Sequence, residues 1–151
     1  MLKQQLKDQL KESMLARDAL RTSVLRMLLS SVSYLEINKG GAGYEATDED
    51  VMNVIQKEVK QRRDSIEQFK AGEREEMAKK EEDELALLSV YLPKQMSEEE
   101  IEELVIVAIS STGASTAQDM GKVMGYLTPH TKGKADGSIV SRIVREKLSS
   151  L

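Results

Sequence analysis

The sequence predicts an all-α protein, and three observations carry that expectation. Nine glycines and two prolines in 151 residues leave little material for the tight turns that many short strands would need. Four Tyr, one Phe and no Trp argue against a sheet or barrel that stacks bases on aromatic platforms. Apolar residues recur at i, i+3 and i+4 over most of the length.

From Leu2 to Asn38, Leu2, Leu6, Leu10, Leu20, Val24, Met27, Leu28 and Leu35 form one stripe without Gly or Pro, so a single long amphipathic helix is predicted. Asn38 to Gly43 supplies a C-cap and a reversal. Thr47, followed by Asp48, Glu49 and Asp50, reads as an N-cap with carboxylates against the positive helix end. A second long helix then runs through Val51, Ile55, Ile66 and Phe69 to about Ala71. Gly72 interrupts, and Glu73 to Leu92 resumes the pattern until Pro93 stops it. Ser97 with Glu100 is a capping box that opens a short helix ended by Gly113. Ser115 with Gln118 repeats the box ahead of Met120 to Leu127, and Asp136 caps a last helix bearing Ile139, Val140, Ile143, Val144 and Leu148. Six helices are expected, with a break at Tyr91 to Met96 between an N-terminal helical domain (1–94) and a small three-helix tail domain (95–151).

Composition excludes several chemistries. With no cysteine and one histidine, His130, neither a thiolate nor a histidine-rich metal site can be assembled, and no metal or other cofactor is expected. The start, Met1 to Gln5, lacks the apolar segment of a signal peptide, and Leu104 to Ile109 is far too short to span a bilayer. A cytoplasmic protein without membrane contact is the expectation. Met120 and Met124 read as core filling, and the run Glu81 to Glu84 as solvated helix surface.

The formal charge of −4 is unevenly spread. Ser97 to Asp119 holds six carboxylates and no cation, whereas the end of the chain carries Lys122, Lys132, Lys134, Arg142, Arg145 and Lys147 against Asp136 and Glu146. The connection Thr128 to Gly137 combines hydroxyls, lysines, glycines and a helix N-terminus, parts that suit phosphate oxygens. An ordinary solvated loop can carry the same lysines, and no P-loop spacing is present. Polar residues also fall on apolar stripes. Glu58 and Arg62, i and i+4 partners, sit between Ile55 and Ile66, and Arg17 lies between Leu10 and Leu20 with Ser13 nearby. These three read as a structural ion pair that sets helix register, with a substrate groove as the rival interpretation.

The chain resembles the YqeY family, stand-alone relatives of the C-terminal region of the GatB component of the tRNA-dependent amidotransferase. The likeness rests on Arg21 with Leu25 to Leu28, on Val54 to Ile66, on Tyr91 to Ser97, on Met120 to Gly125 and on Lys132 to Gly137. It implies a helical body with a small tail, and a role beside tRNA or other structured RNA, carried here by Lys122, His130, Lys132, Gly133, Lys134 and Arg142. It also implies a link to carbon-nitrogen ligation with glutamine as amido-nitrogen donor. This chain offers no ATP cradle, cysteine nucleophile or serine-rich amidase stretch, so no catalytic residue is assigned. Three functions follow in order of expectation: an RNA-binding module, an adaptor that docks on an amidotransferase or aminoacyl-tRNA synthetase component through the hairpin face of Glu58 and Arg62, and an enzyme using Arg17, Glu58 and Arg62.

Overall fold

The computed structural model describes residues 1–151 and is all-α, with seven helices and no strand. The chain forms two compact units, Met1–Leu92 and Pro93–Leu151.

In the first unit, α1 (Leu2–Leu15), α2 (Ala19–Gly40), α3 (Asp48–Ala71) and α4 (Glu75–Ser89) enclose a core of Leu6, Val24, Leu25, Leu28, Val32, Val51, Val54, Ile55, Val59 and Leu88. The single long N-terminal helix expected from the stripe is two helices. Arg17 adopts the left-handed φ of 56°, and Asp18 caps α2 by accepting from the Arg21 amide at 3.1 Å. Ser13 is fully buried at this corner, where its hydroxyl donates to the Leu10 carbonyl and accepts from Thr22. The residue that breaks the helix is thus not a glycine, and nothing in the periodicity announces it.

Thr47 caps α3 as expected, and its box closes through Asp50, whose carboxylate accepts from the Thr47 amide at 3.1 Å. At the other end Gly72 follows α3, yet the left-handed residue is Glu73, φ 58°. The α4 helix therefore starts at Glu75 instead of Glu73, and it ends at Ser89, ahead of Pro93.

The second unit consists of α5 (Glu98–Thr112), α6 (Met120–Thr131) and α7 (Gly137–Ser149) around Ile101, Val105, Ala108, Val123, Leu127, Val140, Ile143, Val144 and Leu148. The Ser97/Glu100 box opens α5, and Gly113 ends it at φ 69°. The second box does not form between Ser115 and Gln118. Instead Asp119 accepts from the Ser115 and Thr116 amides at 2.9 and 3.1 Å and closes a short 3-10 turn, Ala117–Asp119, ahead of α6. A carboxylate satisfies two amides at once, which a Gln118 amide oxygen would do more weakly. These backbone donors are the main reason the Asp119 carboxyl lies below its ordinary range. No helix is long and apolar enough to cross a membrane.

Candidate functional site

Two polar constellations stand out, one in each unit. In the second unit, the Met96 amide donates to the Lys134 carbonyl at 2.8 Å, and the Gln95 side-chain amide donates to the carbonyls of Gly133 at 3.0 Å and Pro93 at 2.8 Å. These bonds pin segment 93–97 to the α6–α7 turn, which reverses at Gly133 with φ 76°. A pocket of about 540 Å³ results, lined among others by Lys94, Gln95, Glu100, His130 and Lys134. Lys94, His130, Lys132 and Lys134 are all solvent-accessible at this corner. Glu100, the carboxylate that lines the pocket, accepts from the Ser97 amide in the α5 cap.

The remaining residues of the expected RNA set divide differently. Lys122 lies 3.9 Å from Asp119, on the first turn of α6. Arg142 reaches Glu98 at 2.7 Å and Glu146 at 3.3 Å, because α7 faces the acidic first turn of α5. Its charge is offset by two carboxylates, so Arg142 does not belong to the unpaired corner. The hydroxyls and the helix N-terminus expected to complete a phosphate cradle are also committed. Thr128 and Thr131 donate to carbonyls one turn back in α6, and the Asp136 carboxylate accepts from the Ser138 amide at the start of α7. Lysines, not a helix terminus, are what the corner offers an anion. Periodicity and spacing did not single out Lys94, because its proximity to Lys134 arises only from the bonds of Gln95 and Met96 to the α6–α7 turn.

In the first unit, Glu58 and Arg62 are buried, 7% and 6% exposed. Arg62 Nη1 lies 3.5 Å from Glu58 Oε2, and Arg62 Nε lies 3.4 Å from Glu84 Oε2 in an ion pair without hydrogen-bond alignment. The Ser31 hydroxyl donates to Glu58 Oε1 at 2.6 Å. The network ties α2, α3 and α4 together. Glu84, read as part of a solvated acidic run, is in fact 8% exposed and completes it, since it stands one turn before buried Leu88. Arg17 is absent from this network because the left-handed corner turns it to solvent. The enzyme reading that joined Arg17, Glu58 and Arg62 loses its geometry, and an adaptor surface made of Glu58 and Arg62 loses its access.

Apart from these two constellations, a single carboxylate, Asp50, closes the α2–α3 turn. Lys39 lies 2.6 Å away and the Tyr44 hydroxyl donates at 2.5 Å, and these partners hold the carboxyl well below the usual range, the lysine most strongly.

Sequence comparison adds ancestry to this geometry. The profile described as Yqey-like protein matches residues 3–148. The protein named "Altered inheritance of mitochondria protein 41, mitochondrial" of Vanderwaltozyma polyspora is 26% identical over 97% of this chain and 81% of its own length. Its namesake in Kluyveromyces lactis is 37% identical over 67% of this chain and 55% of its own, and that of Pyrenophora tritici-repentis is 34% identical over 66% and 56%. The chain thus spans most of the first relative and little more than half of the other two. The expectation of a cytoplasmic protein does not stand against relatives named as mitochondrial, since the composition of Met1 to Gln5 speaks only to a secretory leader. The match runs through all seven helices and both cores, and on that extent the chain belongs to the Yqey-like protein family.

Proposed function

We propose that this chain is a non-catalytic helical module that binds tRNA or tRNA-like RNA through the lysine corner of its second unit. The observation that carries the reading is the contrast in pairing. Lys94 and Lys134 line one pocket and Lys132 stands exposed on the adjoining α6–α7 turn, none with a carboxylate on its ammonium, while Lys122, Arg142 and Lys147 each stand within 4.0 Å of an acidic side chain. Unpaired lysines held by a hydrogen-bonded turn suit phosphate oxygens, whose neutralisation releases counterions. With few aromatic residues, recognition would run through backbone and shape instead of base stacking. By the names of the relatives, the RNA would be a mitochondrial one.

Fluorescence anisotropy of a labelled tRNA transcript with the full chain, between about 50 and 200 mM salt, tests the reading. Affinity should fall steeply, and the log-log slope should drop by about one for each lysine removed in Lys132→Ala, Lys134→Ala and Lys94→Ala. Arg142→Ala should leave the slope nearly unchanged. Salt-insensitive binding, or a triple variant that binds like the parent, removes the proposal.

A further inference from the structure

Helix α2 is apolar on two opposite sides. Val24, Leu25, Leu28 and Val32 face the core, while Leu20, Met27, Tyr34 and Ile37 face outward with 37%, 52%, 69% and 65% of their surface exposed. Ser23 and Ser30 fall between them, so the outer stripe advances in alternating steps of three and four residues, the spacing of a helix-packing seam. In a chain with 32% charged residues, Ala19 to Asn38 contains only Arg21, Arg26 and Glu36. Glu36 is held by Lys3 at 2.6 Å. A surface helix ordinarily covers its solvent side with charges, whereas between Ala19 and Asn38 this one exposes only Arg26 fully, among apolar and hydroxyl side chains.

Concavities lie at both ends of the stripe. One, of about 610 Å³, is lined by Met14, Arg17, Thr22, Ser23, Arg26 and Met27. The other, of about 760 Å³, lies between α2 and α3 and includes Ser30, Tyr34, Asn38, Val54, Lys57 and Gln61. Arg17 and Arg26 flank the first and Lys57 the second, and none is held by a carboxylate. The nearby acids are already engaged: Asp18 caps α2, Glu58 is buried on Arg62, and Asp50 is bound by Lys39. Both ends are therefore cationic. A second copy laid along this face in either direction would set cation against cation, and a flat bilayer would leave both concavities unfilled.

We infer that the outer face of α2 docks an amphipathic helix of another protein, one whose apolar seam is flanked by aspartate and glutamate. The serines let the two backbones approach, Met27 and Tyr34 supply the contact, and Arg17, Arg26 and Lys57 meet the acidic flanks. This surface shares no residue with the lysine corner.

The test uses the full chain and two synthetic helical peptides with the same leucine seam, one flanked by Glu and one by Lys. The Glu-flanked peptide should bind at least tenfold more tightly. Met27→Asp with Tyr34→Asp should weaken it tenfold or more, Arg26→Glu should weaken it as well, and Lys132→Ala with Lys134→Ala should not. All these positions are solvent-accessible, so thermal melts should stay near that of the parent. Equal binding of the two peptides, or indifference to the α2 substitutions, overturns the inference. So does self-association, or binding to anionic vesicles, that the Met27/Tyr34 variant abolishes.

Discussion

Asp50 shows how one side chain can close a turn. It takes a lysine, a phenol and the amide of its own cap, each favouring the ionised form. A carboxyl depressed in the fold stabilises the protein above its unfolded pKa of about 4, and that contribution is lost as pH falls through the lower folded value. Asp50→Asn should therefore lower the melting temperature at pH 7, with the deficit shrinking as pH is taken from about 5 toward 2. A deficit that stays constant over that range would assign the effect to lost packing. Thr47→Ala, which removes the hydroxyl half of the reciprocal cap, should cost about 1 kcal/mol in urea unfolding with a much smaller pH dependence, because the Thr47 hydroxyl is the least of the partners that depress the Asp50 carboxyl. The cap itself was legible, because Thr47 stands three residues before Asp50. The roles of Lys39 and Tyr44 were not, because they flank a glycine turn, Gly40 to Gly43, whose geometry the sequence does not state.

At the scale of elements, the decisive feature is the polar staple inside the helical hairpin. Arg62 on α3 faces Glu58 on its own helix and Glu84 on α4. Periodicity placed Glu58 and Arg62 on the buried stripe of α3, and that is where they lie. It failed for Glu84, because three flanking carboxylates masked the one that shares a face with Leu88. It failed again at Arg17, where a left-handed residue without glycine splits the first stripe into α1 and α2. Replacing Arg62 by Met would leave two buried carboxylates without their cation, and should destabilise the first unit by about 3 to 5 kcal/mol. Adding Glu58→Gln and Glu84→Gln should restore most of that loss, since the net worth of a buried ion pair is small beside the penalty of breaking it. Urea unfolding of the single and triple variants decides the matter. A triple variant no more stable than Arg62→Met would mean that the staple contributes attraction of its own.

For the whole molecule, the two cores are closed by different residues, Leu6 to Leu88 in one unit and Ile101 to Leu148 in the other. The second core rests on ten buried side chains, mostly Val, Ile and Leu, and each of these larger ones contributes about 1.5 to 3 kcal/mol of burial before chain entropy is subtracted. A unit of this size folds alone in many proteins but only marginally, because its surface-to-volume ratio is high. Residues 93–151 expressed alone should accordingly give a helical circular-dichroism spectrum and a cooperative melt. In the full chain, calorimetry should give a total enthalpy larger than the van't Hoff enthalpy of its main transition, the mark of more than one cooperative unit. The fragment retains Lys94, Lys132 and Lys134 together with the bonds of Gln95 and Met96 that assemble them, so it should also keep the salt slope of the full chain for RNA. A fragment that folds yet has lost that slope would move the RNA contact to residues 1–92. One that fails to fold would make the second unit dependent on the first, and the calorimetric ratio of the full chain should then be one.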